Sequence, residues 1–427
     1  MAFPWERKVS TNPSQQAKDR CKAPRLEVIG IGPLAKHLGG FTSHLLREGY
    51  SDASFYKKSL LIRALNRWLI QHNLSLENFD EARLQQFLSE RQDRLSSGVR
   101  RRKANIGEQL LRYLRSLGSI PAPAPIADRT ALGKLMRDFD RFLRSERGLS
   151  PATITAYQRC VRRFLADRFR GQALCLQHLR ARDLDRFILR EARRLSRISA
   201  RSMLVALRCF LRYALQRGWI KADLAMSLPK VASWRYSHVP KSLTPDQVER
   251  LLASCDGGTP DGRRDHAILL ILARLGLRSK EVSTLRLEDL DWDHGEIVVR
   301  TKMCRIHHLP LTKEIGSALA RYLRHSRPRC PLRTVFVRQR PPWSGLSSSG
   351  IGQVVRRALR RAGLKPERTG AHLLRHSLGT NMLRKGASLH EIGQMLGHEC
   401  PTTTQIYAKV DIKALRTIAM PSMGRPA

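Results

Sequence analysis

The sequence predicts a mainly α-helical protein with a small β-sheet, the sheet confined to an α+β domain behind two helical units. Three observations carry this prediction. From about residue 34 to 228 apolar residues recur at helical spacing, and the pattern repeats itself. Only Glu296–Arg300 and Ile306–Leu311 read as strands, joined by a turn over Thr301–Arg305. The chain has 427 residues, 42% of them hydrophobic, enough for two to four domains and too apolar for wholesale disorder.

Residues 1–33 read as a flexible basic tail. A first helical unit follows at 34–120 and a second at 132–228. They are two copies of one design. Leu111-Arg112-Tyr113 matches Leu211-Arg212-Tyr213 at an offset of 100, and Leu76, Leu84, Phe87, Gly118 and Ile120 match Leu176, Leu184, Phe187, Gly218 and Ile220 in the same register. Between them, Pro121-Ala-Pro-Ala-Pro125 opens a stiff linker over 121–131. In the second unit, Ser150 is an N-cap with Pro151 at the first helical position. Val161, Phe164 and Leu165 continue an apolar face, and Arg159, Arg162 and Arg163 lie off it, available for phosphates. A second linker spans 229–242.

The last domain is expected over 243–415, with a tail at 416–427. Thr244 caps a helix that starts at Pro245. Ala267–Leu275 is an apolar helix stopped by Gly276. After the two strands, helices resume at 351–362, 372–384 and 389–396, the last stopped by Gly397. Thr402–Val410 reads as a further short helix and Pro341–Gly350 as a mobile loop.

Charge narrows the function. Lys and Arg number 78 against 36 Asp and Glu, a net +42. Such an excess repels itself unless an anion compensates. The arginines are spread along the chain, which favours a long polyanion, DNA or RNA, over the single basic segment expected for a lipid surface. No apolar run is long enough to span a bilayer, and the N-terminus lacks a secretory core, so the expected location is the cytoplasm. The eight cysteines are scattered without a C-x-x-C pair, against zinc fingers and disulfide frameworks. No G-x-x-x-x-G-K-[ST] loop is present, so no ATP site or other cofactor is implied.

Five segments in order resemble the catalytic domain of tyrosine recombinases, the phage-integrase type. They are Leu275-Gly-Leu-Arg278-Ser-Lys-Glu281, Arg300-Thr-Lys302, His372-Leu-Leu-Arg375-His376, Leu396-Gly-His398, and Tyr407 nine residues after His398. Leu287–Trp292 and Leu309-Pro-Leu311 match supporting segments, and each helical unit resembles the core-binding domain of the family, of which most members carry one copy. The resemblance implies a site-specific DNA recombinase or integrase working through a 3′-phosphotyrosyl intermediate, without metal or ATP. It further implies a tetramer acting on two double-stranded DNA sites, within a phage or transposable element or in chromosome resolution. Other recombinases or accessory DNA-binding proteins are further candidate partners.

The chemistry suits these residue types. Arg278 and Arg375 are implied as the guanidiniums that offset charge developing on the pentavalent phosphorus. His372, three residues before Arg375 on the same helical face, is the implied base for the phenol proton. Lys302 at the hairpin is the implied donor to the leaving 5′ oxygen. Thr301 and Met303 stand where the family often has glycines, so Arg305 is a fallback cation. His398 is implied as a donor to a phosphate oxygen, Tyr407 as the nucleophile and Glu281 as an orienting residue. His376 reads as a packing or hydrogen-bonding residue. His372 and His376 do not form a zinc site of the H-E-x-x-H kind, because Leu373 stands where that motif needs Glu. The segment after Tyr407 offers Ile412, Leu415 and Ile418 as anchors for a neighbouring protomer. Two other readings stay open: a type IB topoisomerase, which shares the chemistry, and a catalytically silent DNA-binding protein.

Overall fold

The computed structural model describes residues 31–90, 97–121, 130–229, 241–300, 306–398 and 401–408. Lys302, Arg305, the hairpin turn, most of both linkers, the first 30 residues and the anchors after Tyr407 lie outside them. Two compact units result: Met1–Ile120 together with Tyr236–Ala427, and Pro121–Arg235.

Within the first unit, an N-terminal helical part is built on α1 (Leu38–Arg47), α2 (Asp52–Gln71), α3 (Glu81–Glu90) and α4 (Ser97–Ser116). Ser51 caps α2 by accepting from the Ser54 N–H. Phe41, Leu45, Leu65, Leu69, Phe87 and Leu114 form its own apolar core.

The Pro121–Arg235 unit repeats that order with α5 (Ala131–Ser145), α6 (Pro151–Arg168), α7 (Ala181–Ala192) and α8 (Arg197–Gln216). The 3₁₀ turns Leu76–Asn78 and Leu176–His178 stand 100 residues apart, as do the starts of the helices that follow them. The matched apolar residues at 76, 84, 87, 111, 113 and 120 are buried, and so are their counterparts at 176, 184, 187, 211, 213 and 220. Gly118 and Gly218 both hold positive φ, +67° and +70°, at the turn that closes each copy. Ser150 caps α6 through the Thr153 N–H, with Pro151 at its first position.

The part carrying the recombinase-like motifs opens with α9 (Pro245–Ala253), where Thr244 and Gln247 form a capping box. Next, α10 (Pro260–Arg274) buries every residue from Ala267 to Ala273. An apolar surface on all sides makes it the central helix. After α11 (Ser279–Thr284), strands β1 (Leu290–Asp291), β2 (Glu296–Arg300) and β3 (Ile306–Pro310) form an antiparallel sheet in the order β1-β2-β3, with Ile297 opposite Leu309 and Val298 opposite His308. Ile297 and Val299 face the core while their neighbours in β2 face outward. Helices α12 (Lys313–His325), α13 (Ser348–Arg361), α14 (Ala371–Arg384) and α15 (Leu389–Leu396) complete the layer around α10, and a one-turn α16 (Pro401–Thr404) leads to Tyr407.

Besides the third strand β1, which the sequence reading lacks, three details differ from that reading. The helix expected over Thr402–Val410 is regular only from Pro401 to Thr404 and continues as turns through the described residues. Gly350 belongs to α13, because Ser347 supplies an N-cap and the helix starts at Ser348, three residues ahead of the expected start. The preceding stretch is held by backbone bonds from Arg338 N–H to the Ser344 carbonyl and from Leu346 N–H to the Phe336 carbonyl, so it is not a free loop.

Candidate active site

Two glycines shape the site. Gly276 ends α10 with φ +63°, and a Cβ there would lie 2.6 Å from Leu396 Cδ2 and 3.0 Å from Leu378 Cδ2. Gly397 ends α15 in the left-handed conformation, with φ 60° and ψ 49°. The ring of His307 on β3 lies against it, its Cε1 3.2 Å from where a Cβ would stand. These two chain reversals bring the end of α10, the start of α11 and the end of α15 onto one face of α14.

Two guanidiniums meet there. Arg375 on α14 donates from Nη1 to the Gly276 carbonyl at 2.7 Å and from Nη2 to the Leu396 carbonyl. Arg278, the residue before α11, donates from Nη1 to Glu281 Oε1 at 2.7 Å and from Nη2 to the Gly397 carbonyl at 3.4 Å. The two cations are therefore tied to consecutive carbonyls, 396 and 397. Arg375 is only 4% exposed. Burial, then the charge of Arg278, pulls its pKa down to about 10. Glu281, the carboxylate acting on it, is itself bound by Arg278 through both its side chain and its backbone N–H. This is a positive pocket whose cations have only partial compensation.

Imidazoles surround the pair. His372 stands on the face of α14 that carries Arg375; desolvation, then Arg375 and Arg278, hold its pKa below the ordinary value. His398 follows the Gly397 turn with Nδ1 2.7 Å from Thr404 Oγ1. Desolvation and the same two arginines bring it to about 4. Both rings favour the neutral state, and an arriving phosphate would reverse the electrostatic part of that preference.

Tyr407 closes the site. It is 0% exposed, among Ile392 and Leu396. Its hydroxyl lies 3.2 Å from His376 Nδ1, and burial pushes its pKa up to about 12. Thus Arg278, His372, Arg375, His398 and Tyr407, separated by up to 129 residues, share one neighbourhood. The phenol's partner is His376, one helical turn beyond His372; the sequence left it as a packing or bonding residue. Thr404 as the partner of His398 carried no sequence signal. Among the described residues no three His, Cys, Asp or Glu converge as metal ligands.

The expected DNA-contacting arginines of α6 stand apart from this site in sequence and role. Arg159 is exposed. Arg162 is exposed and engaged in an interaction of its own. Arg163 Nη1 lies 2.7 Å from Oε2 of the buried Glu191, so its head group also neutralises an interior carboxylate.

Similarity to known proteins agrees with this geometry. The model of the phage integrase family matches residues 241–413, and that of its N-terminal SAM-like domain matches 136–218. A protein of Sinorhizobium fredii named as an integrase/recombinase, y4rA, is 41% identical over 92% of this chain and 95% of its own length. The chain belongs to the phage integrase family of tyrosine recombinases. The tyrosine recombinase XerD of Listeria monocytogenes is 34% identical over 67% of this chain and 97% of that protein. In fold, the chain resembles the XerH site-specific recombinase bound to its difH substrate, with a TM-score of 0.54 at 21% identity over 66% of this chain and 82% of that one. As a member of this family the protein is an enzyme of site-specific DNA recombination that cleaves DNA and transfers strands.

Proposed function

We propose that Tyr407 is the nucleophile of this recombinase and that Arg278, Arg375, His372 and His398 hold the scissile phosphate of double-stranded DNA. The phenol oxygen bonds phosphorus while the bond to the 5′ oxygen breaks, leaving a 3′-phosphotyrosyl link and a free 5′ hydroxyl. His372 takes the phenol proton, and Lys302, with Arg305 as fallback, supplies one to the departing oxygen. Arg278 and Arg375 offset the charge that develops on the non-bridging oxygens. The covalent link conserves the phosphodiester energy, so the 5′ hydroxyl of a partner strand reverses the reaction without ATP.

In this reading four protomers act on two DNA sites in the cytoplasm, and the task is integration, transposition or chromosome resolution. The helical units at 34–120 and 132–228 grip the duplex, the second through Arg159 and Arg162 with a contribution from Arg163. The first lengthens the footprint.

The observation that carries the reading is Arg375. A guanidinium buried to 4% exposure and bonded to carbonyl oxygens, with a second guanidinium beside it, is a costly arrangement unless an anion enters. The test uses nicked duplexes made from the DNA that flanks the coding sequence. The wild-type protein is expected to form a covalent protein–DNA adduct and Tyr407→Phe none. An adduct that persists in the variant would overturn the assignment. Relaxation of supercoils without any site requirement would point to topoisomerase action instead.

A further inference from the structure

We propose that His376 and Gly379 form a closed seat for Tyr407, and that His376 is a positioning residue whose hydrogen bond restrains release of the nucleophile. The proposal rests on the reading of Tyr407 as nucleophile and adds what controls it.

Three observations converge. First, Tyr407 has no accessible surface. A group that a water-sized sphere cannot touch is beyond reach of a phosphate oxygen on DNA, so the hydroxyl must move or be uncovered before it can react. Second, the hydroxyl is paired. His376 Nδ1 lies 3.2 Å from it, and the two rings meet edge to face with centroids 6.0 Å apart. Third, the seat is shaped for this ring. A Cβ on residue 379 would stand 2.5 Å from Tyr407 Cζ and 2.8 Å from its hydroxyl oxygen, closer than atoms pack. Gly379 is one turn beyond His376 on α14, so both features lie on one strip of one helix.

The electrostatics agree. Burial and neighbouring positive groups bring His376 to about 4, so its ring is neutral and can accept; burial pushes the phenol to about 12, so it keeps its proton. A neutral donor and a neutral acceptor make a stable resting pair, not a poised phenolate. Tyr407 is attached through the single turn of α16, with its N–H bonded to the Thr404 carbonyl at 3.0 Å. A short segment of this kind can release a side chain without unfolding the larger core.

Two full-length variants test the seat, and a third restores it. His376→Phe keeps the ring volume and removes the acceptor. Gly379→Ala fills the notch. His376→Asn offers an amide oxygen near the place of Nδ1. Acylation of Tyr407 by N-acetylimidazole in DNA-free protein, followed by mass spectrometry, reads accessibility without any need for activity. Loss of one neutral hydrogen bond is expected to raise that labelling about fivefold in His376→Phe, with a comparable or larger rise in Gly379→Ala and a near-wild-type rate in His376→Asn. Adduct formation on the nicked duplex should rise in the same order. Thermal unfolding of each variant checks that the fold persists; if Gly379→Ala does not fold, the two His376 variants decide alone. Unchanged labelling in His376→Phe would overturn the seat. Faster labelling with slower adduct formation would make His376 a proton acceptor in the reaction and overturn its assignment as a positioning residue. An adduct that survives Tyr407→Phe would defeat the nucleophile reading and leave the labelling result standing.

Discussion

Arg375 is a cation placed where water cannot compensate it, and the histidines near it are held neutral by burial first and by such positive neighbours second. His398 and His376 sit near pKa 4 in the folded protein against 6.5 for the free side chain. For a basic group with a lowered folded pKa, the unfolded chain binds the proton first. The stability associated with these two rings is therefore full above about pH 6.5 and declines as pH falls toward 4. DNA-free protein should show a melting temperature that drops over that window, and His398→Gln should flatten the drop. A slope unchanged by the variant would mean that His398 is not held neutral. Arg278, Arg375 and Tyr407 were legible in the sequence because an ordered set of short motifs singles them out. The contact between His376 and Tyr407 was not, because it joins residues 31 apart and depends on a missing side chain at Gly379.

Elements were legible where their signals are local. Caps at Ser150 and Thr244 and the stop at Gly397 each depend on residues within one turn, and the structure uses all three. Strand β1 was missed because two residues, Leu290 and Asp291, carry no period of their own and become a strand only by pairing with Ile297 and Glu296. The Arg163–Glu191 pair was equally invisible, since it links different helices. The two chain-reversing glycines give a test at this scale. Gly276 and Gly218 share the left-handed backbone, at φ +63° and +70°, but only Gly276 is crowded, by Leu396 and Leu378; a Cβ on Gly218 meets nothing within 4 Å. Gly218→Ala should cost about 1 kcal/mol from backbone strain alone, and Gly276→Ala about 2–4 kcal/mol from strain plus overpacking. Denaturant unfolding of the two variants checks the difference, and equal costs would show that the packing around Gly276 yields freely.

The whole molecule is a heavily basic chain with one helical design used twice. The repeat was legible because helical cores constrain apolar residues at fixed spacing, so the match at 100 residues survives while the surfaces diverge. What the copies do separately was not legible, because base and phosphate contacts depend on a few outward side chains. If the first copy grips DNA, deleting residues 1–125 should shorten the nuclease-protected footprint; a footprint of unchanged length would remove that copy from the DNA interface. The central claim is that one phenol and a cluster of fixed positive groups act on the same phosphorus. The most direct measurement is to digest the trapped protein–DNA adduct and locate the attached nucleotide by mass spectrometry. A 3′-phosphonucleotide on Tyr407 and a 5′ hydroxyl on the released strand are expected; attachment to any other residue, or cleavage that leaves a 5′ phosphate and no adduct, would rule out Tyr407 as the nucleophile.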